Sequence, residues 1–81
     1  MTKKETLIQI KNLIEMVFSA TTDAFDEEDI DTWWVLGKLG DDLLIEYATY
    51  SLFWSDFKED AEAMVSKWKH IVEQTMGRHY E

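Results

Sequence analysis

The stretch that decides the fold class is TWWVLGKLGDDLLIEYATYSLF, residues 32–53. It is rich in tryptophan, valine, isoleucine, tyrosine and threonine, which favour a pleated, half-buried strand. A glycine–aspartate pair at positions 40 and 41 separates its two apolar runs, and such a pair is typical of a hairpin turn. The stretch therefore predicts strands over 32–39 and 43–53, joined as a β-hairpin.

The same stretch also has a helical interpretation. Asp26 would cap a helix that ends at Gly40, and Asp41 would begin a second helix that runs to Trp54. Two features weigh against this. Gly37 would lie inside the first helix at a cost of about 1 kcal/mol, and the second helix would be apolar on every side, which is hard to bury in so small a chain. The hairpin is preferred, and the helical pair stays open as the alternative.

A helix is predicted before this stretch. Apolar residues recur at spacings of three and four from Leu7 to Val17, which indicates one buried helical face. Thr2 and Glu5 match a capping box, in which each side chain accepts a hydrogen bond from the other residue's amide. Small polar residues predict the end of this helix within 19–22.

A second helix is predicted after the stretch, over about 56–76. Its apolar spacing places Trp68 in the core, and Gly77 suits a left-handed position just beyond its end. Two helices packed on one face of a hairpin give an α+β fold of order α-β-β-α, as a single domain over residues 1–81. An all-α four-helix bundle is the alternative fold.

Charge is concentrated in the middle of the chain. Seventeen acidic residues oppose eight basic ones, and residues 23–62 alone hold thirteen acids against two lysines, a net of −11. That exceeds what solubility requires of a small domain. We expect an acidic patch formed by Asp26, Glu27, Glu28, Asp29, Asp31, Asp41, Asp42, Glu46, Asp56, Glu59 and Asp60.

An acidic patch of this size fits a basic partner, because complementary fields favour association. The most basic surfaces in a cell bind nucleic acid, so the leading hypothesis is a nucleic-acid mimic that inhibits a nuclease or a defence effector. Small viral anti-defence inhibitors and nuclease immunity proteins are similar in size and charge, although no motif is shared. Direct binding to nucleic acid or to an anionic membrane is disfavoured, because phosphates would be repelled.

The aromatic residues support a second hypothesis. Two helices would cover only one face of a hairpin and leave large apolar groups on the other. We expect that face to form a homodimer or to anchor a partner through Trp33, Trp34, Tyr50 and Trp54. In that case the protein is a small structural or regulatory oligomer, and its charge serves solubility.

No chemical motif stands out, so an enzyme is not expected. The acidic run 26–31 does not fit a calcium loop, because no glycine falls at the sixth position and Trp33 and Trp34 stand where ligand and turn residues are needed. The chain has no cysteine, and His70 and His79 are nine residues apart, which does not suit a helical metal pair. We predict no cofactor and no metal. The absence of cysteine and of a signal-like apolar run favours the cytoplasm.

Overall fold

The fold is helical throughout. A computed structural model describes residues 1–80, with the side chains of residues 1–77. Helix α1 spans Lys3–Asp26, α2 spans Ile30–Leu52 and the short α3 spans Trp54–Phe57; a 3₁₀ turn at Lys58–Asp60 leads into α4, Ala61–Tyr80. The described chain contains no strand, so the predicted α+β fold with its hairpin over 32–39 and 43–53 is wrong.

The deciding stretch is one continuous helix rather than a hairpin or a pair of helices. Asp29, not Asp26, caps it and accepts a hydrogen bond from the Thr32 amide at 3.2 Å. The helix passes through Gly37 and Gly40 without a break. At Gly40 the missing side chain has a packing reason, because an added Cβ would lie 3.2 Å from the ring of Phe18. Glycine thus lets α1 and α2 approach closely at this point.

The predicted start of α1 is confirmed and its predicted end is wrong. The Thr2 hydroxyl accepts from the Glu5 amide at 3.1 Å, and the Thr2 amide donates to the Glu5 carboxylate at 3.2 Å. The helix does not stop within 19–22. There the hydroxyls of Thr21 and Thr22 donate to carbonyls four residues earlier, so the small polar residues fit into the helix instead of ending it.

The last predicted helix is present but displaced. The segment predicted to begin it forms α3 and the 3₁₀ turn, and α4 continues through Gly77, where the sequence suggested a stop. Trp68 packs against the core as expected. The core combines side chains from all three long helices: Ile10, Leu13, Ile14, Val17, Ala20, Leu36, Leu39, Leu43, Tyr50, Ala61, Met64, Val65 and Val72.

The three long helices run up, down and up. α1 and α2 are antiparallel, because Phe25 near the end of α1 contacts Trp33 near the start of α2, with ring centroids 6.2 Å apart, and Phe18, earlier in α1, lies beside Gly40, later in α2. The longest dimension of the molecule is 42 Å, little more than the roughly 36 Å expected of α1 alone. α4 must therefore turn back along the α1–α2 pair.

Candidate interaction surfaces

Two grooves lie between α1 and α2. The first, here called the aromatic groove, has a volume of about 420 Å³ and is lined by Phe18, Thr21, Trp33, Trp34, Gly37, Lys38 and Asp41. The second, the basic groove, has a volume of about 520 Å³ and is lined by Lys3, Lys4, Leu7, Ile8, Lys11 and Tyr47. No described residue of α4 lines either groove, so both lie on the side of the helix pair that α4 leaves uncovered.

We call this uncovered side the open face. Its residues recur at heptad spacing on both helices. On α1 it comprises Lys4, Leu7, Lys11, Phe18 and Phe25, and on α2 it comprises Trp34, Gly37, Asp41, Leu44 and Ala48. Steps of three and four residues on α2 place these side chains along one stripe, on the helix side away from the buried Leu36, Leu39 and Leu43. α2 is therefore apolar on two faces, one buried and one presented to solvent.

The tryptophans of the aromatic groove are exposed. Trp34 is 62% exposed and Trp33 is 38% exposed. Gly37 lines the same groove, and a Cβ added there would meet nothing within 4 Å. A glycine inside a helix costs about 1 kcal/mol relative to alanine, and at Gly37 no contact within the chain accounts for it. The space above Gly37 is open to a group from another molecule.

The other two predicted anchors lie elsewhere. Tyr50 is only 4% exposed and belongs to the core, with its ring centroid 5.6 Å from that of Phe57 and 6.4 Å from that of Trp54. Burial, followed by the negative charges of Glu46 and Asp60, raises the pKa of Tyr50 above its ordinary value. Trp54 is half-buried against the same core. As placed, neither side chain belongs to the open face.

The loop between α1 and α2 carries the densest negative charge. We call this cluster the acidic tip; it consists of Asp26, Glu27, Glu28, Asp29 and Asp31, all of which are exposed. Asp26 lies in the last turn of α1, which holds no basic residue. Glu28 has a φ of 60°, in the left-handed region that disfavours side chains.

The remaining predicted acids do not join the tip. Asp56, Glu59 and Asp60 follow the far end of α2, and a helix of this length separates them from the tip by roughly 34 Å. Asp41, Asp42 and Glu46 lie between the two ends, and successive helical positions point Asp41 and Asp42 about 100° apart. A single chain therefore presents two acidic ends rather than one continuous acidic face.

Sequence reasoning missed the α1 side of the open face. Phe18 and Phe25 are exposed there, and Lys3, Lys4 and Lys11 make one end of that face basic. The heptad steps 4-11-18-25 and 34-37-41-44-48 were present in the sequence. They indicate a paired helical surface, but only once residues 32–53 are interpreted as a helix.

The described residues contain no group of three or more His, Asp or Glu side chains placed to hold a metal ion. Among the described helices, none has the length and apolar character required to span a membrane. Hydrogen bonds with Thr2 lower the pKa of the Glu5 carboxyl group. Comparisons of this chain with protein-family models, with curated proteins and with solved structures find no match.

Proposed function

We propose that this protein is a non-enzymatic interaction module whose acidic tip docks on the basic surface of a nucleic-acid-binding protein, such as a nuclease or a defence effector. The observation that carries the proposal is the acidic tip itself, a set of exposed carboxylates at the end of the α1–α2 helix pair. Carboxylates held in this way can occupy positions where a basic surface would otherwise bind phosphates.

Two acidic residues of the tip lower the local stability of the fold. A negative charge in the last turn of a helix opposes the helix dipole by about 0.3–1 kcal/mol, and Asp26 occupies that turn of α1. A non-glycine residue in the left-handed region costs roughly 1–2 kcal/mol, and Glu28 has that conformation. Residues placed against local stability are a reason to look for a role in binding.

Apolar side chains accompany the acids at this end. Phe25 is 59% exposed and Ile30 is 58% exposed, and both flank the loop. Trp34 lies one helical turn further along α2. Interfaces draw their energy from a few large apolar anchors, while charge sets the association rate and the choice of partner. The tip offers both components side by side.

The proposal is tested by capture from a host lysate at low salt with two matched variants. The tip variant D26N/E27Q/E28Q/D31N removes four charges and keeps the capping residue Asp29. The control variant E15Q/D42N/E62Q/E73Q removes four exposed charges elsewhere. We expect wild type and control to retain the same nucleic-acid-binding protein, and the tip variant to lose it at least tenfold. Equal retention by both variants, or retention that does not weaken with added salt, would contradict the proposal.

A second function is supported by the open face. Phe18, Trp34 and Leu44 form an exposed apolar stripe across two neighbouring helices. Single apolar residues are common on protein surfaces, but a continuous apolar stripe is typical of an interaction site. Self-association through this face would make the protein a small structural or regulatory oligomer. Trp34→Asp should then shift the chain to a monomer in sedimentation equilibrium, whereas Met16→Asp, on another side of α1, should not.

A further inference from the structure

We infer that two copies of the chain pair antiparallel through the open face, with the aromatic groove of each copy against the basic groove of the other. In this arrangement Asp41 of one copy and Lys11 of the second lie at the same level, diagonally across the groove that the two copies share. The inference rests on the second function proposed above and specifies its geometry. Four observations carry it: the position of the grooves, their charges, the heptad spacing and the available area.

The position of the grooves fixes the register. Gly40 lies beside Val17 and Phe18, and Trp33 lies beside Phe25, so Asp41 stands level with about residue 16 of α1. Lys11 lies about five residues nearer the start of α1. A two-fold axis that lies in the open face, perpendicular to the helices at about residue 13 or 14 of α1, exchanges these two levels. Each helix then lies along its own counterpart in the second copy, and Asp41 and Lys11 face each other diagonally across the shared groove. The same axis superposes the aromatic groove on the basic groove of the second copy.

The two grooves differ in charge. The basic groove contributes Lys3, Lys4 and Lys11, while the aromatic groove holds one lysine, Lys38, beside the Asp41 carboxylate and the faces of two tryptophans. The register that pairs Asp41 with Lys11 also brings Lys4 of the second copy to the level of Trp34. An ammonium group over an indole ring is attractive. A parallel arrangement would instead place lysines against lysines.

The heptad positions of Asp41 and Lys11 bear on the register and orientation of the pairing. Asp41 and Lys11 occupy central positions of the exposed stripes, among Phe18, Gly37 and Leu44. In paired helices a polar residue at such a position selects one register and orientation at some cost in stability. The pairing also explains why a glycine stands at position 37 inside α2, since the open space above Gly37 would receive a side chain of the second copy.

The area of the open face falls within the range of specific interfaces, which is about 600–1,000 Å² per partner. A face two helices wide and as long as α2 measures about 20 by 34 Å, or roughly 700 Å² per copy. Specific interfaces bury about 800 Å² per partner. The pairing also joins charges that one chain separates, because the acidic tip of each copy then lies at the same end as residues 56–60 of the other. The dimer would carry two acidic ends.

Charge reversal tests the inference. Asp41 and Lys11 are both exposed within the single chain, so substitutions there should leave it folded; circular dichroism provides the check. Sedimentation equilibrium compares wild type, Asp41→Lys, Lys11→Asp, the double variant D41K/K11D, and an equimolar mixture of the two single variants. Each single variant places like charges together twice in its own dimer. The double variant and the mixture restore opposite charges at both sites.

We expect wild type to dimerise, each single variant to raise the dimer dissociation constant at least tenfold, and both the double variant and the mixture to recover most of that loss. A wild-type dimer that neither reversal weakens, or that the mixture fails to restore, would overturn the antiparallel pairing while the second function survives. A wild type that stays monomeric at hundreds of micromolar would overturn both and leave the open face to a different protein.

Discussion

Gly40 and Phe18 are packed so closely that a Cβ atom added to Gly40 would lie 3.2 Å from both Cε1 and Cζ of the phenylalanine ring. Gly37, three residues earlier on the same helix, has nothing within 4 Å of such an atom. One glycine thus serves the packing of α1 on α2, and the other leaves a groove open.

This contrast predicts different effects of alanine at the two positions. Gly37→Ala should raise the free energy of unfolding by about 0.5–1 kcal/mol, because alanine restricts the unfolded chain and meets no neighbour. Gly40→Ala should be at least about 1 kcal/mol less stable than Gly37→Ala, since the Phe18 ring must move away. Both variants are unfolded with urea in the Asp41→Lys background, because that substitution is expected to weaken the dimer. The measurement then gives the free energy of unfolding of the single chain. Equal stability of the two variants would contradict the packing described at Gly40.

Glu28 gives a prediction about the acidic tip. Its φ of 60° suits glycine, so Glu28→Gly should stabilise the fold by about 0.5–1 kcal/mol. Glu27, its neighbour, has a φ of −85° that any residue adopts, so Glu27→Gly serves as the control and should destabilise. Thermal unfolding of the pair checks this. If glycine has the same effect at both positions, the left-handed conformation of Glu28 is not present in solution.

Two adjacent leucines separate the core from the open face. Leu43 is fully buried, whereas Leu44 is 45% exposed. Leu43→Ala should therefore cost about 2–5 kcal/mol of stability, and Leu44→Ala should change the stability of the single chain by less than about 1 kcal/mol. Urea unfolding gives the first comparison. In sedimentation equilibrium Leu44→Ala should weaken self-association, and an unaffected dimer would exclude Leu44 from the interface.

Tyr50 predicts a loss of stability at alkaline pH. Its pKa is raised by burial and by the nearby charges of Glu46 and Asp60, so the folded state binds the phenolic proton more tightly than the unfolded state. The resulting stability is fully present below the unfolded pKa and is lost as pH rises through the folded pKa. Tyr50→Phe should reduce the loss of stability above pH 10, measured by urea unfolding. An alkaline decline that Tyr50→Phe leaves unchanged would contradict this account.

The sequence was informative wherever a local rule acted alone. The capping box at Thr2 and Glu5 and the apolar stripe from Leu7 to Val17 depend only on neighbours within the helix, and both are present in the structure. Residues 32–53 favour strands by composition and by their glycine–aspartate pair, and a helix over 41–54 that is apolar on every side is hard to bury. That last argument assumes burial, yet Leu44 and Leu52 remain 45% and 75% exposed.

The candidate site was only partly predictable for a related reason. The acids could be listed from the sequence, but whether they converge depends on the path of the chain. The length of α2 places Asp29 and Asp56 at opposite ends of the molecule. The open face needed the helical assignment of α2 first, since its heptad spacing has no meaning on a strand.

The measurement that tests the central claim most directly is competition for a purified nucleic-acid-binding protein captured by this chain. Fluorescence anisotropy would follow a labelled DNA duplex bound to that protein while the chain is added. We predict that wild type and the control variant E15Q/D42N/E62Q/E73Q displace the duplex, and that the tip variant D26N/E27Q/E28Q/D31N requires at least tenfold more protein to do so. If the chain and the duplex bind together without competition, the acidic tip does not occupy the nucleic-acid site and the proposed function is wrong.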